Sequence, residues 1–275
     1  MSERQLQRIV QAQSASDGDG VKIKRIAGRD INPVFDPFLL LDEIRSDEAA
    51  DYVGGFPAHP HRGFETITYM IDGRLRHEDH LGNRGLLTDG GVQWMLAGRG
   101  VIHSEMPEQT EGRLHGFQLW LNLPAAEKMQ LARYQDFQRE ELPLISLDNG
   151  GQVKVIAGRQ GEVVSPMPVA TTAPLYLDIQ LPAGASYSPL LAGYAAVALY
   201  VYQGQAGQLK QSQMGFYGEG EQFTVTAGEH GVRLLLLAGR AIGEPIAQHG
   251  PFVMNSVEEI QQAINDYSAG RLAEA

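Results

Sequence analysis

Two short stretches hold residues able to do chemistry. In "FPAHPHRGFETITYMIDG", from Phe56 to Gly73, His59 and His61 are separated by one residue and Glu65 follows four later. In "LAGRGVIHSEMPE", His103 and Glu105 have the same alternate spacing. Successive side chains of a strand point to opposite faces, so residues two apart share one. His59, His61 and Glu65 therefore point the same way if their strand is continuous, as His103 and Glu105 do on theirs. Three imidazoles and one or two carboxylates, offered by two strands of one small barrel, suit a single divalent transition metal. Iron, manganese, nickel, copper, cobalt and zinc all accept such donors, and their affinity order does not choose among them. Four protein ligands would leave two octahedral positions, enough for a substrate oxygen and dioxygen together.

The elements that must position these residues are strands. The chain has 32 Gly and 14 Pro, and short β-rich runs such as "ETITYMIDG", "GVQWMLAG", "HGFQLWLNLP", "AVALYVYQG" and "VRLLLLAG" alternate with turns. This is the pattern of an all-β sandwich or barrel. Helical signals are few. One is "AAEKMQLARYQ" after Pro124; the clearer one is "NSVEEIQQAINDYSAG" near the end. There Ser256 and Glu259 form a capping box, Val257, Ile260, Ile264 and Tyr267 recur at helical spacing, and Gly270 can stop the helix. It is expected to pack on a barrel wall.

A weak internal repeat accompanies the strands. "MIDG" closes a run at Gly73 and "YQG" closes one at Gly204, 131 residues later; Gly98 and Gly228, 130 apart, end two further runs. The repeat predicts tandem β units spanning 1–135 and 136–275. In that register Leu190, Ala192 and Ala196 stand opposite His59, His61 and Glu65, and Arg233 and Leu235 opposite His103 and Glu105. None of these forms a ligand set, so the second unit is expected to be metal-free.

Composition narrows the function classes. There are no cysteines, which excludes disulfides, thiolate metal sites and thiol nucleophiles and leaves His and carboxylate for any metal. Hydrophobic residues are 43% and charged residues 20%, so a packed core rather than disorder is expected. The net charge is −11 with no block of Lys and Arg, which argues against direct nucleic-acid binding. The polar amino-terminal stretch is no secretory signal, and the apolar runs are too short to span a bilayer. A soluble, cytoplasmic protein with no membrane contact is the expectation. Among the other histidines, "HEDH" (His77 to His80) is assigned to a solvated hairpin with Asp79 tying its turn. His115 is assigned to the core or rim, and His230 and His249 to loops. Phe56, Trp94, Met106, Phe117 and Trp120 are expected in the core, where one or two could line an apolar pocket.

Taken together, "FPAHPHRGFETITYMIDG", "VQWMLAGRGVIHSEMPE", "LHGFQLWLNLP" and "GPFVMNSVEEIQQAI" resemble the pirin family of the cupin superfamily, over about residues 55 to 265. The resemblance implies two cupin-type β-barrel or jelly-roll domains in tandem, with a C-terminal α-helix. It implies one metal, Fe(II) first, in the N-terminal domain, with His59, His61, His103 and Glu105 as ligands. In most other cupins the first-motif glutamate, here Glu65, is the ligand. The pirin-like "HSE" points to Glu105 and leaves Glu65 in reserve, and either carboxylate could act as general base. The implied activity is that of a quercetinase: metal-dependent opening of a flavonol ring with O2. The alternative is a non-enzymatic iron-binding regulator acting through a protein partner. A sugar-phosphate isomerase fits less well, for no Arg- and Lys-rich clamp is evident.

Overall fold

The computed structural model describes every residue except Met1, Arg29, Val169, Glu221, Ala273 and Ala275. Its contacts form two compact units. One comprises Ser14–Ala27, Phe38–Arg139 and Ile242–Ala275; the other comprises Met1–Gln13, Gly28–Pro37 and Glu140–Ala241. A single cut after residue 135 does not describe this grouping, and the reasons are local. Leu6–Gln11 adds a strand to Gln213–Tyr217, placing the start of the chain in the second unit's sheet. At the other end, Ile260 and Ala263 pack with Phe252, Met254 and Leu272, and Arg62 meets Asp266 at 2.8 Å. The helix Val257–Ser268 therefore belongs to the unit that carries His59, not to the later one.

The first unit has eleven strands that matter here: β1 (Gln13–Asp17), β2 (Val21–Ala27), β3 (Phe38–Ser46), β4 (Phe56–His61), β5 (Phe64–Asp72), β6 (Leu75–Asp79), β7 (Arg84–Leu87), β8 (Val92–Leu96), β9 (Val101–Pro107), β10 (Leu114–Asn122) and β11 (Arg133–Phe137). A seven-stranded sheet runs β11-β8-β5-β10-β3-β2-β1, and a four-stranded sheet runs β4-β9-β6-β7. Central β5 is buried along most of its length. It is covered on both faces, and Glu65, Thr66 and Thr68 are buried within it beside its apolar residues.

In the second unit, Ala196–Ala206 lies between Gln213–Tyr217 and Val225–Gly239, as β5 lies between β8 and β10. The likeness corrects the second landmark of the repeat. Gly98 follows β8, whereas Gly228 sits inside Val225–Gly239, which takes the place of β10. Arg233 and Leu235 therefore lie on a large-sheet strand and are not counterparts of His103 and Glu105. Val197, Leu199, Val201, Leu234 and Leu236 belong to a buried apolar cluster of this unit.

The expected helix after Pro124 is only a 3-10 turn, Ala125–Glu127, followed by β11. Its would-be continuation is pinned by Lys128, whose buried Nζ donates to the Gly63, Asn122 and Val253 oxygens at 2.7, 2.6 and 3.1 Å. The C-terminal helix has its capping box, and Gly270 follows it with φ +70°. Its buried positions are Ile260, Ala263 and Asp266; Val257 and Tyr267 are exposed, so the inward stripe is displaced from the expected one. Among the described residues no helix is long and apolar enough to cross a membrane.

Candidate metal centre

The histidine triad follows from one strand pairing. β4 and β9 run antiparallel with His59 opposite His103 and His61 opposite Val101. Opposed residues share a face, and His61 shares that of His59 by alternation, so the three rings meet. Their centroids lie 4.4 to 5.0 Å apart, and one ligand nitrogen from each falls within 4.8 Å of the others. Among the described residues this is the one such group of three or more.

The ring nitrogens are arranged for a cation. His59 Nδ1 donates to the Pro57 carbonyl at 2.8 Å, which leaves a lone pair on Nε2. That Nε2 lies 3.0 Å from His61 Nε2, so the pair must share a proton or a cation. His103 Nε2 is buried without a protein partner. Burial lowers the pKa of His59, and lowers those of His61 and His103 strongly, with neighbouring imidazoles adding to the effect. The rings are held neutral, the form that ligates. These residues fit a divalent transition metal.

The two carboxylates part company. β4 and β5 do not form one strand: Gly63, at φ +93°, turns the chain from the small sheet into the large one. Phase is lost at the corner. On β5, Thr68 bonds the Glu105 carboxyl, whereas Glu65 is an odd number of positions away and faces the opposite side of the sheet. The expectation that Glu65 shares the histidines' face is thereby corrected. Its carboxyl is buried and pushed up to about 7, chiefly by desolvation, with the Trp94 indole in partial compensation.

Glu105 is on the inner face of β9 but is not in the nitrogen cluster. Its carboxyl lies 3.0 Å from Thr68 Oγ1 and accepts from Gln118 Nε2 at 3.2 Å, while Thr68 Oγ1 also lies 2.5 Å from Gln118 Oε1. The three contacts close a ring. With Glu105 ionised, the hydroxyl proton can serve only one of its two contacts, and flipping the Gln118 amide moves the deficit without curing it. A proton on Glu105 satisfies all three. Burial accordingly pushes this carboxyl up to about 7, against the Thr68 hydrogen bond.

His77 overturns the reading of "HEDH" as a solvated hairpin. Its side chain is fully buried on β6, its Nδ1 is 3.3 Å from His103 Nδ1, and its ring stacks on Tyr134 at 4.2 Å. β6 pairs with β9 on the side away from β4, which no local pattern announces. Asp79 does tie the turn, accepting from the Leu81 and Asn83 amides at 2.9 and 3.0 Å. His80 stays at the rim, its Nδ1 accepting from Ile102 N. His115 is buried, 3.1 Å from Glu43. His230 and His249 lie on strands, exposed, rather than in loops.

Trp94 and Phe117 are buried, and Phe56, Met106 and Trp120 are half-buried. Trp120 stacks on Phe64 at 4.2 Å and meets His61 in a T-shaped contact at 5.3 Å, making an aromatic wall beside the triad. Behind β4, buried Arg62 donates to Asp266 and to the Leu272 carbonyl. Thr68, Gln118, Arg62 and Lys128 carried no sequence signal of these roles.

A family model described as Pirin matches residues 20–121, and one described as the Pirin C-terminal cupin domain matches residues 176–273. The chain belongs to the pirin family. A Pseudomonas aeruginosa protein provisionally named quercetin 2,3-dioxygenase is 49% identical over 270 residues, 94% of each chain. Human pirin is 39% identical over 276 residues, covering 97% of this chain and 93% of its own. The crystal structure of quercetin 2,3-dioxygenase from Acinetobacter baumannii superposes with a TM-score of 0.91 at 30% identity, covering 98% of this pirin-family chain and 99% of that one. The all-β fold of two cupin domains with a C-terminal helix is shown, as is a histidine triad able to bind a metal.

Proposed function

We propose that this chain is a metal-dependent quercetin 2,3-dioxygenase, opening a flavonol ring with O2. The observation that carries the reading is the convergence of three buried imidazoles on one face of the small sheet, with Glu105 two residues beyond His103 on the same face of β9. In this proposal His59, His61 and His103 hold one divalent cation, Fe(II) first, and Glu105 is the candidate fourth ligand. The ion, when bound, supplies Lewis acidity toward a flavonol oxygen and the electronic coupling to O2. The residues do the rest. Glu105, whose Oε1 already takes part in a hydrogen bond with Thr68, is the candidate acceptor of the flavonol hydroxyl proton. Trp120, half-buried and backed by the fully buried Phe64, offers apolar area to a flat aromatic ring and helps keep bulk water from the triad. Glu65 has no part, because its face of β5 is the other one.

The test is elemental analysis of the purified protein, then anaerobic Fe(II) reconstitution and quercetin loss on admitting air. Loss that requires both metal and oxygen, and collapses in His59→Ala, is expected. Metal bound with no turnover would favour the iron-binding regulator instead. No transition metal bound under any reconstitution would remove both.

A further inference from the structure

We propose that His77, oriented by Asp79, is a positioning residue that fixes the tautomer of His103 and thereby sets the metal affinity of the triad. The inference rests on the reading of the triad as a metal site. It begins with the pair of ring nitrogens 3.3 Å apart, Nδ1 of His103 and Nδ1 of His77. Two neutral imidazoles meeting this way need one proton between them, so one ring donates and the other accepts. His103 can offer a lone pair on Nε2 only if its proton sits on Nδ1; it must then donate, and His77 must accept. An accepting His77 carries its proton on Nε2; that atom makes no hydrogen bond but lies 3.5 Å from Asp79 Oδ2, close enough for the carboxylate to favour the proton there electrostatically. The chain is therefore directional: Asp79 carboxylate, His77 Nε2–H, His77 Nδ1 lone pair, His103 Nδ1–H, His103 Nε2 lone pair.

The surroundings hold this chain in place. Asp79 is directly opposite His103, and His77 is opposite Glu105, so all four lie on the inner face of the small sheet. The Asp79 side chain is almost fully buried, and its oxygens accept from Leu81 N, Asn83 N and Asn83 Nδ2. The His77 ring is held at 23° to the Tyr134 ring, and Tyr134 donates to Asp136 at 2.7 Å. Across the hairpin stands Gly85, where a Cβ would come within 1.9 Å of the Tyr134 hydroxyl and 2.0 Å of Asp136. A buried imidazole held at Nδ1 by His103 and on one face by Tyr134, with the Asp79 carboxylate 3.5 Å from its other nitrogen, is placed to set its neighbour's orientation, as partners of ligating histidines do.

The experiment uses the full chain with Co(II) as probe, in competition with a chelator, and imidazole 15N NMR of the metal-free protein. Wild type should show His103 protonated on Nδ1 and a defined Co(II) ligand-field spectrum. His77→Phe keeps the stack on Tyr134 but loses the acceptor. It should weaken Co(II) about 10- to 100-fold, alter the spectrum, and move His103 toward the Nε2–H form. His77→Asn, whose carbonyl oxygen can stand near the place of Nδ1, should recover most of the affinity. A mere packing role predicts the reverse order, with Phe tolerated and Asn weak. Co(II) binding by His77→Phe within twofold of wild type and with the same spectrum overturns the proposal. So does Nε2–H His103 in a wild type that binds Co(II). A wild type that binds no Co(II) sinks the metal reading itself.

Discussion

At the scale of single residues, the ring of Thr68, Gln118 and Glu105 separates structure from chemistry. All three contacts are satisfied only when Glu105 carries a proton. Glu105→Gln supplies the equivalent N–H permanently, so the metal-free variant should be at least as stable as wild type at pH 8. Its quercetin turnover should nonetheless fall about 10²- to 10⁴-fold, the usual contribution of a positioned base. A variant that unfolds at pH 8 would show that the carboxylate itself supports the fold. Glu65 makes a complementary prediction on the other face of β5. Its folded pKa is raised from 4.5 to about 7, so the native state binds a proton more tightly than the unfolded chain. The neutral carboxyl's advantage is full below pH 4.5 and is lost as pH rises to about 7. At about 1.4 kcal/mol per pKa unit this is on the order of 3 kcal/mol. Urea unfolding in chelator should find Glu65→Gln losing less stability than wild type between pH 5 and pH 8. Equal losses would place the titration elsewhere.

At the scale of elements, legibility in the sequence tracks how local the physics is. His59 and His61 could be placed on one face because alternation within β4 decides it, and Ser256 and Glu259 because a capping box is closed within four residues. Glu65 lies beyond the corner that Gly63 makes, where alternation from β4 no longer counts. His77 sits in a polar run, "HEDH", whose burial is decided by pairing with β9, some 26 residues further on, and not by its own pattern. Lys128 belongs to a helix-like stretch overruled by two distant carbonyls, of Gly63 and Val253, together with the Asn122 side chain. The corner itself is testable. At Gly63 a Cβ would lie 1.9 Å from the Val253 carbonyl oxygen, on a backbone with φ +93°. Gly63→Ala should destabilise by about 1–3 kcal/mol from backbone strain alone, with a further loss of Co(II) affinity because His61 is two residues away. A variant with wild-type stability and affinity would mean that the corner relaxes freely. Ser256→Ala, by contrast, should cost about 1 kcal/mol through the lost cap and leave metal affinity unchanged.

At the scale of the molecule, the feature that no local pattern foretold is that the last segment of the chain supports the ligand strand. Arg62, adjacent to His61, exchanges backbone hydrogen bonds with Pro251 and Val253 and sends its guanidinium to Asp266 and Leu272. Lys128 joins the Gly63 and Val253 carbonyls from the same side. If these contacts hold β4 in the geometry that converges the triad, then releasing the segment and releasing the metal are coupled. Binding adds about 4 kcal/mol to the bound form at a free metal concentration 1,000 times Kd. Amides whose exchange requires undocking of Phe252–Met254 or Val257–Ser268 should then slow together with those of β4 and β9, by up to about the same 1,000-fold. Hydrogen exchange with and without Co(II) reads this directly, and His59→Ala should abolish the gain in both regions. Slowing confined to β4 and β9 would mean that the terminal helix merely covers the ligand strand without bearing on its geometry.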